Sequence, residues 1–351
     1  MTELVSILIP AYKAERFIAE TVANVRAQTW PRKEIIIVDD GSPDSTYEAA
    51  KRLEGPDLKV VRQDNAGAPT ARNTAYALAQ GEYIQWLDAD DLLHPDKIRL
   101  QLQGAESGLT SKTVLTCAWG QFFFDPRRAE FSPDSLWRSM SPVEWILTRF
   151  RDNVWMNPAV WLISRKTAEL AGSWDARLAR SGDDDGEYIC RAVGVSDYVR
   201  FVPEAKCYYR IGTVGSLNWN MATREDVLDS LALSMKLSVQ HLIKLEDSER
   251  TRDAGARHLQ TFLTAYFYGA DERYFRDLNE FARELLNRGL QPPTVSWKYR
   301  PVELLCGRKF TRKFMANWRA AKVLLRRRYH AFLYERSRSS AAEAGYLQNS
   351  Y

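Results

Sequence analysis

Histidine and cysteine are scarce in this chain, with four of each in 351 residues. Cys117, Cys190, Cys207 and Cys306 lie far apart, and no Cys-x-x-Cys occurs. A zinc site is therefore not expected, and scattered thiols fit a reducing cytoplasm. No apolar run approaches the roughly 18 residues that a membrane span needs. The opening Met-Thr-Glu-Leu-Val has no basic n-region, so no signal peptide is expected. The formal net charge of +4 is too small to call for nucleic acid. Gly-x-Gly-x-x-Gly and Gly-x-x-x-x-Gly-Lys-Ser/Thr are both absent, which removes the two common glycine cradles for phosphate.

What is present is ordinary globular composition, 45% hydrophobic and 27% charged, at a length that suggests about two domains. Apolar strands are expected at Asn157 to Ile163 and, as a pair, at Phe201 to Glu204 and Cys207 to Arg210, with a loop over Gly212 to Ser216. Nearer the N-terminus they are expected at Val5 to Ile9, stopped by Pro10, and at Glu34 to Val38, Leu58 to Val61 and Tyr83 to Leu87. Helices are expected between them. That alternation predicts βαβ units and a mostly parallel sheet with helices on both faces. Three strand ends then converge on one crevice, carrying Pro10-Ala11-Tyr12, Asp39-Asp40 and Asp88-Ala89-Asp90-Asp91. Three crowded acids repel one another unless a cation sits among them, and hard divalent ions take oxygen ligands. Taken alone, the same acids also read as an N-cap and solvated first-turn residues.

Four stretches in register carry a resemblance. They are Val-Ser-Ile-Leu-Ile-Pro-Ala-Tyr (5–12), Ile-Ile-Val-Asp-Asp-Gly-Ser-x-Asp-Ser-Thr (36–46), Asn-Ala-Gly-Ala-x-x-Ala-Arg-Asn (65–73) and Tyr-Ile-Gln-Trp-Leu-Asp-Ala-Asp-Asp (83–91). Together they resemble family 2 glycosyltransferases of the GT-A, nucleotide-diphospho-sugar transferase fold. The resemblance runs to about residue 217 and implies a catalytic domain over 1–217 with a helical C-terminal appendage over 218–351. It places Pro10, Ala11, Tyr12 and Asp40 at the nucleobase and Arg72 near the diphosphate. Asp88 goes to the ribose or sugar. Asp90 becomes the main protein ligand of Mn²⁺ or Mg²⁺, with Asp88 and Asp91 beside it. UDP is the expected nucleotide, with GDP and dTDP left open. Asp39 and Asp40 also read as turn residues capping the next helix.

Downstream, Ser181-Gly182-Asp183-Asp184-Asp185-Gly186-Glu187 opens an amphipathic helix through Arg191. The resemblance puts an acidic pair seven and six residues before that arginine. This selects Asp184 and Asp185, with Asp185 as the catalytic base of an inverting transfer. Trp155 and Arg210 are assigned to the acceptor side, although Trp155 reads more readily as a core tryptophan. After the Tyr-Arg at 209–210 no His follows, so the second protein ligand of the metal stays open. No Gln-x-x-Arg-Trp occurs, so the mark of processive synthases is missing.

From about Asn218 the pattern becomes helical. Residues 297 to 328 hold eleven Lys and Arg against a single acid, Glu303. A basic, aromatic helix over 297–334 reads either as a surface for anionic lipid or as a solvated face or dimer contact. Residues 337–351 read as a frayed tail. The resulting expectation is a non-processive sugar transferase serving a glycan or lipid-linked acceptor in cell-surface polysaccharide assembly. It would be cytoplasmic and peripheral at the inner face of the membrane. The rivals are a sugar-1-phosphate nucleotidyltransferase and an inactive sugar-nucleotide-binding module.

Overall fold

A computed structural model describes residues 2–104, 110–180, 182–212 and 224–343, with side chains to 336. The expected loop at 213–216 and the last residues of the expected tail, 344–351, lie outside the described residues. The first half alternates as the sequence predicts: β1 (Val5–Ala11), α1 (Ile18–Arg26), β2 (Lys33–Asp40), α2 (Thr46–Lys51), β3 (Leu58–Gln63), α3 (Ala68–Leu78) and β4 (Tyr83–Trp86). A two-residue strand β5 (Leu92–Leu93) and α4 (Lys97–Gln103) follow. Next come β6 (Thr113–Phe122), β7 (Glu130–Phe131), α5 (Pro142–Asp152), β8 (Leu162–Ser164), α6 (Arg165–Ala171), α7 (Asp184–Gly194) and β9 (Tyr198–Arg210). The remainder is α8 (Glu225–Leu245), α9 (Glu249–Tyr266), α10 (Glu272–Leu286) and α11 (Arg300–Glu343).

Among the described residues the strands form one sheet in the order β3-β2-β1-β4-β8-β6-β9-β5, with β7 hanging from β6. The first four strands are parallel. β8 is antiparallel to both β4 and β6, so the sheet is mixed rather than mostly parallel. The departure falls where βαβ periodicity stops in the sequence.

Three local expectations change. Pro10 does not stop β1, because its pairing with β4 ends at Leu8 and no ladder bond is asked of Pro10 on that side. The stretch at 157–163 is a short 3-10 turn, Pro158–Val160, leading into β8. The two strands expected around 201–204 and 207–210 are one strand, β9. Its register against β6 jumps from Val202 to Lys206, so Pro203 sits in a bulge where its missing N–H costs nothing.

The core is continuous across the expected boundary at 217. Leu228, Leu231, Met235, Val239 and Leu242 of α8 are buried with Tyr188, Ile189 and Val193 of α7. On α9, His258 stacks on Phe150 of α5 at 3.9 Å. Helix α8 is therefore packed on the element that carries the acid-rich turn, and α9 and α10 pack on α8 in turn.

One glycine locks the join between β1 and β4. A Cβ on Gly81 would come within 2.6 Å of the Ser6 backbone N and 2.7 Å of the Leu4 carbonyl O. Neither backbone atom can retreat, because both strands are buried. Gly81→Ala is expected to lower stability by about 1–3 kcal/mol, the usual cost of overpacking, in urea unfolding.

Candidate active site

The site forms where the β1, β2 and β4 ends meet the start of α7. Arg72, on α3, is its pivot. The guanidinium is buried, donating from Nη1 to Asp184 Oδ2 at 2.6 Å and from Nη2 to Asp88 Oδ1 at 2.9 Å. It lies over the Trp174 ring, 4.3 Å from the centroid, and Trp174 stacks on Tyr188 of α7 at 4.0 Å. Asn73 fixes that tryptophan: its Nδ2 donates to the Trp174 carbonyl, and its Oδ1 accepts the Trp174 N–H. Burial works against the charge on Arg72, and the carboxylates of Asp184 and Asp88 more than restore it.

The three acids that open α7 occupy different surroundings. Asp183 is buried and accepts from Arg149 Nη2 at 2.9 Å and from Ser234 Oγ at 3.0 Å. Burial raises its pKa against the pull of Arg149. Asp184 is pushed up to about 6, because desolvation outweighs the attraction of Arg72. Asp185 is half-buried, and its Oδ1 accepts only the neighbouring Gly186 N–H at 2.8 Å among the described hydrogen bonds. The arginines that reach this turn pair with Asp183 and Asp184 instead. Burial, then the charges of Asp184 and Asp183, push the Asp185 carboxyl well above the usual range. Glu187 faces away, bonded to Arg191 at 2.7 Å and His241 at 2.9 Å.

At the β4 end, Asp88 is 31% exposed at its side chain and Asp90 is half-buried. Asp91 is fully buried; its Oδ1 accepts the Arg210 N–H at 2.8 Å. Burial and the charges of Asp90 and Asp88 raise its pKa strongly. Arg210 is buried. It lies between the rings of Phe17 and Phe122, donating to the Asp90 carbonyl and to Glu20. It braces the turn on which Asp90 stands.

Asp40 is buried and saturated. Oδ1 accepts from Gln63 Nε2 and the Ala66 N–H, and Oδ2 from Asn65 Nδ2 and the Gly67 N–H. With four donors on four lone pairs it organises loop 64–67. Beside it, Asp39 Oδ1 is buried without a partner. Tyr12 is 47% exposed next to the buried Ala11. Trp155 is 42% exposed, so it is not a core tryptophan. It contacts Trp119 at 4.9 Å and Tyr209 at 5.5 Å between ring centroids. Tyr209 in turn feels the charges of Asp91, Asp90, Asp88 and Asp185. Trp155 therefore stands one aromatic ring away from the acids.

Sequence reasoning passed over Asn73, Arg149, Trp174 and Ser234. Arg149 sits inside the run Trp145-Ile146-Leu147-Thr148-Arg149-Phe150, all buried. An arginine in so apolar a run was the available signal for a buried partner.

Residues 6–154 match the family model described as Glycosyl transferase family 2. A Bacillus subtilis (strain 168) protein named for teichuronic acid biosynthesis, TuaG, is 42% identical over 103 residues, covering 28% of this chain and 41% of its own. The chondroitin synthase of Pasteurella multocida (strain Pm70) is 40% identical over 102 residues, covering 28% of this chain and 11% of its own. The chain thus spans less than half the length of these curated relatives. The crystal structure of S. aureus TarS 1-349 in complex with UDP-GlcNAc superposes with a TM-score of 0.62 at 16% identity, covering 80% of this chain and 81% of that one. At that identity the likeness is one of fold. The matched segment, residues 6–154, holds Asp40, Arg72, Asp88 and Asp90.

The raised Asp184 carboxyl has a consequence for stability. Between the unfolded value near 3.8 and the folded value of about 6, the native state holds more protons. Stability contributed by this group is therefore lost as pH rises through that window. In EDTA, the stability of wild type relative to Asp184→Asn should fall between pH 4 and pH 6 and level off above it. Urea unfolding at several pH values checks this.

Proposed function

We propose that this protein transfers a sugar from a nucleoside diphosphate sugar, UDP-linked in the first instance, to an acceptor hydroxyl, inverting the anomeric centre. The observation that carries the proposal is the division of labour around Arg72. Asp88 and Asp184 are tied to the guanidinium, which leaves Asp185 with a raised pKa and no arginine partner among the described residues. The family 2 domain and the named relatives support the reaction class, and they favour polysaccharide or glycoconjugate assembly as its setting.

An acceptor hydroxyl is far too weak an acid to ionise at neutral pH, so it needs a base during attack. In the proposed step Asp185 takes that proton as the acceptor oxygen bonds to the anomeric carbon. The bond from that carbon to the diphosphate oxygen breaks on the opposite face, and the nucleoside diphosphate leaves. Burial prepares Asp185 for this role by raising its proton affinity. Arg72 keeps positive charge beside the strand ends, and Trp174 keeps its plane fixed.

Among the described residues no cluster of three metal-ligating side chains is present. Two carboxylates at one strand end, Asp88 and Asp90, nevertheless suit Mn²⁺ or Mg²⁺, which takes one or two carboxylates and completes its shell with phosphate and water. Bound there, the ion would supply charge stabilisation for the leaving diphosphate. Asp91, buried and bonded to the Arg210 N–H, supports the turn in this scheme. Trp155 offers an apolar face for an acceptor sugar.

No helix of the described residues is long and apolar enough to cross a membrane. A cytoplasmic site of action is proposed on the strength of four free cysteines. The missing Gln-x-x-Arg-Trp supports single rather than processive addition. A membrane-borne acceptor at the inner face completes the proposal.

Two outcomes check it. Asp185→Asn should lower transfer roughly 10²–10⁴-fold while leaving UDP affinity within about twofold, the range for a positioned base. Near-normal kcat in that variant, with Asp184→Asn inactive, would assign the base to Asp184. Asp90→Ala should remove the difference in UDP affinity between Mn²⁺ and EDTA that wild type shows. Released product decides the class: free UDP means transfer or hydrolysis, and pyrophosphate means nucleotidyl transfer.

A further inference from the structure

The helix α11 is the largest part of the molecule that the catalytic proposal leaves unused. It kinks at Gly307, where φ is 78°, a left-handed value that suits glycine. Past the kink it packs along one side only. Thr311 is buried, His330 stacks on Phe123 at 4.6 Å, and Tyr334 stacks on Phe124 at 5.9 Å. Arg326 donates to Glu130, on the same strand-edge surface.

The opposite side is apolar and open. Phe310, Phe314, Trp318, Leu325, Tyr329 and Phe332 are all exposed, from 39% to 65%. With Ala321 they follow an eleven-residue repeat: 310, 321, 332; 314, 325; 318, 329. Eleven residues are close to three helical turns, so the side chains stay in one line for about 33 Å. Charge borders this line. Lys313 and Arg328 flank it by helical position, and Lys322 holds its ammonium 5.6 Å from the Trp318 ring. Leu304 and Leu305, before the kink, are 79% and 85% exposed.

We infer that α11 lies on an anionic bilayer, with the Phe310–Phe332 stripe in the interface and its basic borders among the headgroups. The inference rests on the glycosyltransferase reading for its purpose, which is to bring the site to a lipid-borne acceptor. Charge selects the occupant. A second copy docked along the stripe would bring Lys313, Lys322 and Arg328 against the same charges, with no acid between Glu303 and Glu335 to pair them. An anionic lipid surface complements the same charge and accepts the aromatic line. A helix that lies on the bilayer also fits the absence of a spanning segment among the described residues.

The placement reaches the cleft. Phe123 and Phe124, under the helix, directly follow Phe122, whose ring lies 4.4 Å from Arg210, the brace of the Asp90 turn. The lipid-facing helix thus lies over the residues that follow β6, beside those that brace the Asp90 turn. An acceptor with a lipid tail would enter from that side.

Full-length protein should be tested on vesicles of phosphatidylglycerol and phosphatidylcholine (30:70) and of phosphatidylcholine alone. Binding should be at least tenfold tighter to the anionic vesicles and should weaken as salt rises from 0.1 to 0.5 M. The variant F314E/W318E/L325E changes only exposed side chains. It should lose at least tenfold in vesicle binding while UDP affinity and donor hydrolysis stay within twofold of wild type. Equal binding of wild type to both vesicles, or unchanged binding by the variant, would overturn the inference. So would a dimer in wild type that the variant abolishes without any lipid effect. Loss of donor hydrolysis in wild type would instead refute the enzyme reading and leave lipid binding standing.

Discussion

A buried guanidinium bridging two carboxylates from distant parts of the chain is the constraint on which the site depends. Arg72 joins Asp88, at the end of β4, to Asp184, at the start of α7. A buried charge must be paired, and one that loses a partner is costly. The pairing therefore fixes the distance between the end of β4 and the start of α7. Lysine could not do this, because its ammonium is a point charge and does not fork. The flat stack of Tyr188, Trp174 and Arg72 holds the fork in plane, and Asn73 pins the tryptophan from the same helix turn.

The C-terminal helices secure the other side of the acid-rich turn. Ser234 of α8 and Arg149 of α5 close on Asp183. His241 of α8 closes on Glu187. These bonds absorb two of the acids, Arg72 absorbs a third, and Asp185 is left without an arginine partner among the described residues. The helical region is thus part of the machinery that separates four neighbouring acids into different roles. The same principle applies at β4, where Arg210 and the buried Asp91 hold the turn so that Asp88 and Asp90 stand at its surface.

The first half of the fold was readable because its strands are short, apolar and bounded by turn chemistry. Val5 to Ile9 and Glu34 to Val38 could hardly be anything else. The convergence of Asp39-Asp40 and Asp88 to Asp91 followed from the order of strands. The second half was not readable in the same way. β9 looked like two strands because Pro203 and Glu204 interrupt its pattern, and only pairing with β6 shows them as a bulge. The roles of Arg149, Ser234 and Arg210 depend on contacts across tens to over a hundred residues, which periodicity does not encode. The four hydrogen bonds by which Asp40 holds loop 64–67 likewise depend on a turn that periodicity does not show.

The measurement that bears most directly on this account is a double-mutant cycle between Arg72 and Asp184, read on kcat/KM for sugar transfer. Arg72→Lys, Asp184→Asn and the double variant would be compared with wild type. If the bridge sets the cleft, each single change breaks the same structure, and the double variant should be no worse than the poorer single one. The coupling should then be at least tenfold, about 1.4 kcal/mol. Losses that simply multiply would contradict the account, since the two residues would then act independently.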